Sequence, residues 1–294
     1  MTKPLSEEIF KLIIDKGYGR KKLCDEFNVS DRTAQEWLSI SKYFSSHNLP
    51  FLTDPILQPK IVPEYKIEGN HFKVAAMSDW HIGSKACKKT ELKTFIKYAQ
   101  DQGVEAFLAP GDLIDANNVY RGQEYELEVV GVDDQVDLLC NIVPDLKRCF
   151  FITGNHEYAI YKIAGKNVGA DIAHSRKDFT FLGAIEGSVK INGILFDLFH
   201  GAGKGAYAVS YKIQKRIESY VPGNKPRILL VGHWHQSMEF TARNITAYHA
   251  GSFQGPTILS KQYCLPTING GWILDILAEN GEVKTINSEF VFFY

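Results

Sequence analysis

Beyond residue 70 the chain repeats one pattern, a short apolar run that ends in carboxylates, imidazoles or a carboxamide. The runs fall at 72–77, 106–109, 149–152, 194–199 and 228–231, and each reads as a buried strand. Stretches with helical periodicity lie between them, at about 91–102 and 134–146. Strands alternating with helices give an α/β fold with the polar clusters at the carboxyl ends of the strands, where loops hold side chains on a rigid scaffold.

The five clusters are Ser78-Asp79-Trp80-His81-Ile82-Gly83, Pro110-Gly111-Asp112-Leu113-Ile114-Asp115, Thr153-Gly154-Asn155-His156-Glu157, His200-Gly201 and Gly232-His233-Trp234-His235. They offer oxygen and nitrogen donors and no thiolate, a set that suits Mn²⁺, Fe, Zn²⁺ or Mg²⁺ rather than an iron–sulfur or copper site. Glycines before Asp112, Asn155 and His233 are expected to turn the backbone sharply.

In that order, DxH, GDxxD, GNHE, HG and GHxH resemble the full signature of the calcineurin-like metallophosphoesterases. The resemblance implies a four-layer α/β/β/α sandwich over residues 69–294, with strands at 245–248, 272–277 and 283–290 building its second sheet. It implies two divalent ions, Mn²⁺ before the others. Asp79, His81 and His235 would hold one, Asn155, His200 and His233 the other, and Asp112 both. His156 would not ligate but would act as the catalytic residue beside the phosphate or leaving group, and a metal-bridging hydroxide would attack phosphorus. Of the other histidines, His47, His71 and His174 read as solvent-facing, and His249 precedes Ala250-Gly251-Ser252, which resembles the small-residue turn that the family places after GHxH, and is not counted among the site residues.

Residues 1–45 read as a small all-α unit. Ser6 caps a first helix with Ile9, Phe10, Leu12 and Ile13 on its apolar stripe, and Gly17 and Gly19 end it. A second helix fits 20–27 with Leu23, Cys24 and Phe27 inward, and Ser30 caps a third from Asp31 to about Ile40. The pattern resembles a helix-turn-helix unit, in which Arg32, Thr33 and Gln35 would meet base edges and Arg20, Lys21 and Lys22 would meet phosphates. A bundle used for packing or dimerisation is the alternative. Between the two units, 46–68 contains Pro50, Pro55, Pro59 and Pro63 and reads as an extended linker.

A net charge of −1 neither demands nor excludes a nucleic-acid partner. The N-terminus shows no signal peptide, and no apolar run reaches the roughly 20 residues of a membrane span. Five scattered cysteines without CxxC spacing fit a reducing cytoplasm.

Three features lean toward DNA as substrate. The opening motif resembles that of the DNA-repair exonuclease branch; Asp115 is followed by Ala116-Asn117 rather than the Arg-Gly of protein phosphatases; and the helix-turn-helix-like unit precedes the catalytic domain. A helix after His200 places Val209, Ile213 and Ile217 inward, leaving Lys212, Lys215 and Arg216, with Lys204 before it, either to hold a phosphate backbone or as a solvated face. No capping domain like that of the repair exonucleases is expected at the C-terminus. The expected function is therefore a two-metal phosphodiester hydrolase, a DNA nuclease first. A nucleotide or small-metabolite phosphodiesterase or phosphatase is the alternative, and a DNA-binding regulator with a non-catalytic metal site a second one.

Overall fold

The computed structural model describes residues 7–46, 62–203, 205–221, 225–265 and 267–294. Ser6, His47, the linker prolines Pro50, Pro55 and Pro59, and Lys204 lie outside the described residues. The chain divides into two units, Met1–Ile61 and Val62–Tyr294.

The first unit has three helices: α1 (Glu7–Lys16), α2 (Arg20–Phe27) and α3 (Asp31–Ser46). The spacing of Ile9, Ile13, Leu23, Ala34 and Trp37 puts them on facing stripes, and they form a small core. Asn28, in the left-handed region at φ 49°, ends α2, and the Ser30 hydroxyl then accepts from the Thr33 amide at 3.2 Å to start α3. The third helix runs a turn and a half beyond the expected Ile40.

In the second unit the elements are β1 (Glu64–Tyr65), β2 (His71–Ala76), α4 (Lys89–Asp101), β3 (Val104–Pro110), α5 (Val132–Ile142), β4 (Cys149–Thr153), α6 (Asn155–Ala164), α7 (Val168–Ser175), β5 (Phe179–Ala184), β6 (Glu186–Ile191), β7 (Ile194–His200), α8 (Tyr211–Ser219), β8 (Ile228–Gly232), β9 (Ser237–Ala242), β10 (Ile245–Ala250), α9 (Ile258–Gln262), β11 (Asn269–Glu279) and β12 (Glu282–Phe293). They make two six-stranded sheets, the first ordered β12-β11-β2-β3-β4-β5 and the second β1-β6-β7-β8-β10-β9.

Period-two alternation explains why the central strands are apolar throughout. In β3, Ala106 and Leu108 face the core between the sheets, whereas Phe107 and Ala109 face α4, α5 and α7. Phe150 and Ile152 alternate likewise with Cys149 and Phe151 in β4. Across the sandwich, Ile228 and Leu230 of β8 point inward, while Leu229 and Val231 meet Ile213 and Ile217 of α8. The result is the α/β/β/α layering.

Two expectations change. β1 lies inside the segment read as linker, yet it pairs in parallel with β6, with Tyr65 opposite Ile191, so the larger unit begins at Val62 rather than 69. β11 and β12 do not build the second sheet. β11 runs antiparallel to β2, with Trp272 opposite Ala76, and β12 takes the edge beyond it, so only β10 of the three late strands joins the second sheet. Strands β5, β6 and β9 had no apolar run to mark them. β5 and β9 are edge strands whose residues are largely half-buried, and in β6 every second residue is buried.

Candidate metal centre

Each cluster sits where a strand ends, and backbone bonds past the strand ends join the first two loops. The Asp79 amide donates to the Gly111 carbonyl and the His81 amide to the Asp112 carbonyl, both at 3.0 Å. Asp79, His81, Asp112, His233 and His235 all have φ between 47° and 86°. Non-glycine residues there cost on the order of 1–3 kcal/mol each, and five together mark a site where backbone strain is held by surrounding structure.

The glycines act in two ways. Gly111, at φ 101°, supplies the sharp turn. Gly154 and Gly232 are outside that region and are required for close approach instead. A Cβ on Gly154 would lie 2.1 Å from Asp112 Oδ1, and one on Gly232 would lie 2.4 Å from Ser78 Oγ.

The seven side chains expected as ligands converge. Asp112 Oδ2 is 3.1 Å from His200 Nε2 and 3.9 Å from both His81 Nε2 and His156 Nε2, while Oδ1 accepts from the His156 amide at the start of α6. Asp79 Oδ1 lies 3.4 Å from His235 Nε2, which is 3.2 Å from His81 Nε2. Asn155 Oδ1 is 3.0 Å from His200 Nε2. Three groups have donor atoms all within 4.8 Å of one another: Asp79, His81 and His235; Asp112, His200 and His233; and His81, Asp112 and His156.

Hydrogen bonds on the far side of each ring set which nitrogen faces inward. A carbonyl cannot donate, so His200 Nδ1 must give its hydrogen to Pro110 O (2.8 Å) and His233 Nε2 must give its own to Gly203 O (2.9 Å). Asp115 Oδ1 accepts from His81 Nδ1 at 2.8 Å. The inward nitrogens of His81, His200 and His233 are therefore free to offer a lone pair to a cation.

The charges agree. Burial pushes the carboxyl of Asp79 up, but the His235 and His200 imidazoles outweigh it and bring it down to about 2. Burial also works against the His200 cation, yet Asp112 and Asp79 raise that imidazole to about 9. Burial and the neighbouring His200 press His233 down to about 4. Two sheltered carboxylates facing converging imidazoles fit divalent ions, which would replace protons as the compensating charge.

His156 is held differently. Its Nδ1 donates to the Asp115 carbonyl at 2.6 Å, leaving Nε2 turned toward Asp112. Three supporting residues lay outside the expected site. Asp115 orients His81 and accepts from Gln123 Nε2 at 3.1 Å. Glu157 accepts from the Ile114 amide (3.0 Å) and the Gly154 amide (2.8 Å), tying the second and third loops together, and burial beside Asp112 raises its carboxyl to about 7. Ser252 Oγ donates to the Asp79 carbonyl at 3.0 Å. The first two lie within the quoted motifs, and Ser252 ends the small-residue segment Ala250-Gly251-Ser252.

Residues 72–237, more than half of the chain, match the calcineurin-like phosphoesterase family. The chain belongs to that family. Its members use divalent metals, in keeping with the donor groups above. The DNA polymerase II small subunit of Methanothermobacter thermautotrophicus is 22% identical over 249 residues, covering 69% of this chain and 52% of the relative. That of Thermoplasma acidophilum is 28% identical over 125 residues, 38% of this chain and 25% of the relative. This calcineurin-like chain thus spans about half the length, or less, of the curated relatives it matches. Among solved structures, an archaeal phosphodiesterase is 15% identical over 75% of this chain and all of its own length, with a TM-score of 0.45. Vacuolar protein sorting 29 from Cryptosporidium parvum is 16% identical over 76% of this chain and all of its own, with a TM-score of 0.41.

The residues read as nucleic-acid contacts separate into two sets. Arg32, Gln35, Lys21 and Lys22 are exposed, with Lys22 Nζ 3.9 Å from the Tyr18 ring centroid, and Arg20 is paired with Asp31 at 3.2 Å. Thr33 is buried, with its hydroxyl bonded to that of Ser30, the residue that caps α3, and does not present a base reader. Lys215 is exposed, and Lys212 Nζ lies 6.0 Å from the Trp234 ring centroid. Arg216 is not on an exposed face. It donates to Asp197 and Glu186 at 3.0 Å and to the Tyr220 hydroxyl at 3.1 Å, and stacks over Phe199. Val209 precedes α8 and is exposed, leaving Ile213 and Ile217 as the buried stripe. His71 and His174 are exposed as expected, while His249 is buried against Trp234. All five cysteines are free, and no described helix is long and apolar enough to cross a membrane.

Proposed function

We propose that the larger unit is a phosphodiester hydrolase using two divalent ions, with DNA as its substrate. The observation that carries the reading is Asp112, whose carboxylate groups with His200 and His233 and also lies 3.9 Å from Nε2 of His81, a member of the Asp79, His81 and His235 group. Asp79, His81 and His235 hold one ion and Asn155, His200 and His233 the other, with Asp112 shared; manganese is the expected metal. Bound ions of this kind polarise phosphoryl oxygens and acidify water.

The chain's own residues supply the rest. The peptide bonds of Pro110 and Gly203 and the carboxylate of Asp115 fix the ligand rings before any substrate arrives. His156, anchored through Nδ1, keeps Nε2 toward the reacting centre, where a proton can be held for the departing oxygen. DNA is favoured by the relatives named DNA polymerase II small subunit and by the exposed Arg32 and Gln35 in the first turns of α3, read as a helix-turn-helix recognition helix with Arg20, Lys21 and Lys22 nearby in sequence. One observation favours a nucleotide or small phosphodiester instead. Among the described residues, no Lys or Arg lines the cavity over the metal-ligand groups.

The test is cleavage of end-labelled single- and double-stranded DNA with Mn²⁺, with EDTA and His156→Ala as controls. Metal-dependent cleavage that His156→Ala lowers about 10²- to 10⁴-fold, with Mn²⁺ still bound, supports the reading. Inertness toward DNA with hydrolysis of bis-p-nitrophenyl phosphate moves the substrate to a small diester. Loss of metal from the variant would make His156 a ligand.

A further inference from the structure

The cavity over the donor groups has a second wall that a phosphate does not need. Its volume is about 560 Å³, within the span of roughly 300–1,000 Å³ typical of a site for one small ligand. Asp112, Asn155 and the imidazoles line it together with Tyr120, Trp234, Leu259, Tyr263 and Leu265. With the phosphate met by the ions, the rest of a substrate meets aromatic and aliphatic surface. Neutral hydrogen-bonding residues are there too: Gln236 and Thr267 line the same cavity, and their side chains bond to no other described side chain or backbone group. Flat faces for stacking beside neutral donors and acceptors for an edge are what a nucleobase requires.

This wall is braced. Tyr120 comes from the loop after β3, and Leu259 comes from α9, with Tyr263 and Leu265 just beyond its end. Glu126 joins the two elements, its Oε2 accepting from the Tyr120 hydroxyl and its Oε1 from the Ile258 amide, both at 2.6 Å. The Thr257 hydroxyl caps α9 by accepting from the Ser260 amide at 3.1 Å. Trp234 is fixed as well. Its Nε1 donates to Gly203 O at 3.1 Å, and a Cβ on Gly201 would come within 2.3 Å of its ring. Side chains held this way lose little freedom when a ligand stacks on them.

We infer that Tyr120, Trp234 and Tyr263 receive the base of the nucleotide whose phosphate is cleaved, so the substrate offers an unpaired nucleotide and not an intact duplex. The inference rests on the phosphodiesterase reading above and narrows its substrate. One nucleotide fills a cavity of this size, and a paired base has its edge occupied by its partner.

The test compares binding of thymidine 5′-monophosphate and its abasic counterpart, deoxyribose 5-phosphate, to the full chain with Mn²⁺ by calorimetry. Wild type, Tyr263→Ala and Tyr120→Leu are used, and thermal melts confirm that each folds. Tyr263 is 47% exposed, so its truncation leaves the core intact. The expected result is at least tenfold tighter binding of the thymidylate, with that preference reduced about tenfold in each variant. Equal affinity for the two ligands, no measurable thymidylate binding, or an unchanged preference in both variants overturns the inference. A second arm measures cleavage of strand ends that are unpaired, abasic or blunt duplex. Base-dependent binding without cleavage of any diester keeps the subsite and removes the hydrolase reading. Cleavage indifferent to base and to pairing does the reverse.

Discussion

The carboxylate of Asp115 lies 2.8 Å from Nδ1 of His81, with both side chains almost wholly buried. The same residue's carbonyl oxygen takes the hydrogen of His156 Nδ1 at 2.6 Å. One residue thereby sets the orientation of a proposed metal ligand and of the proposed proton carrier, which divides the work of the site between ligand and support. Asp115→Ala is expected to weaken metal binding by about 10- to 100-fold, the usual effect of losing such a partner. Titration of Mn²⁺ into the metal-free variant measures it, and wild-type affinity would show that His81 needs no such support.

Gly154→Ala tests close approach directly. Its Cβ would lie 2.1 Å from Asp112 Oδ1 and 2.7 Å from the Asp112 amide, and backbone cannot swing aside. A cost of about 1–3 kcal/mol in stability is expected from the overpacking. Metal affinity should fall with it, because Asp112 must move. A melt and a titration on one preparation check both, and an unshifted melt with full metal binding would contradict the geometry.

Arg216 reads as a fastener of α8 to the second sheet. Its guanidinium joins Asp197 and Glu186, and the Tyr220 hydroxyl also bonds Asp197. Arg216→Ala leaves Asp197, which is 6% exposed, without its cation, and should destabilise the domain by about 3 kcal/mol. Denaturant unfolding gives the loss. Unaltered stability with a reduced salt slope of DNA binding would return Arg216 to the phosphate role.

Acid stability should depend on Asp178. Burial works against its charge, but hydrogen bonds and charge from Arg176, with the Leu146 amide, hold the carboxyl below its ordinary value. Arg176 also donates to the carbonyls of Val143 and Pro144, so the pair clasps the end of α7 to the loop after α5. With the folded value depressed, the stabilisation is complete above the unfolded value of about 3.9 and is lost as pH falls through the folded one. Wild type should therefore lose melting temperature below about pH 4. Asp178→Asn should melt lower at neutral pH and fall less steeply between about pH 5 and 3. Parallel melting curves for the two proteins would remove Asp178 from the acid transition.

What the sequence determined is what depends on near neighbours. Phe107 and Leu108 fall on opposite faces of β3 because successive side chains alternate, so a run apolar at every position implies a strand covered on both sides. Asp79, Asp112, Asn155, His200 and His233 each follow such a run by one to three residues, and a strand end delivers them without knowledge of the rest of the chain. The convergence of those ligands, by contrast, was carried by the family resemblance, since no single loop reports which others it will face.

The tertiary structure decided matters that depend on partners far along the chain. β11 looks the same in sequence whether it pairs with β2 or with the second sheet; the partner surface chooses. Thr33 and Arg216 are polar residues on helices, and only the hydroxyl of Ser30 and the acids of β6 and β7 turn them inward. Tyr120 and Tyr263 are 143 positions apart and share a cavity because Glu126 ties their two segments together. Local pattern fixes which face of an element is apolar or polar, and packing of distant elements fixes what each face meets.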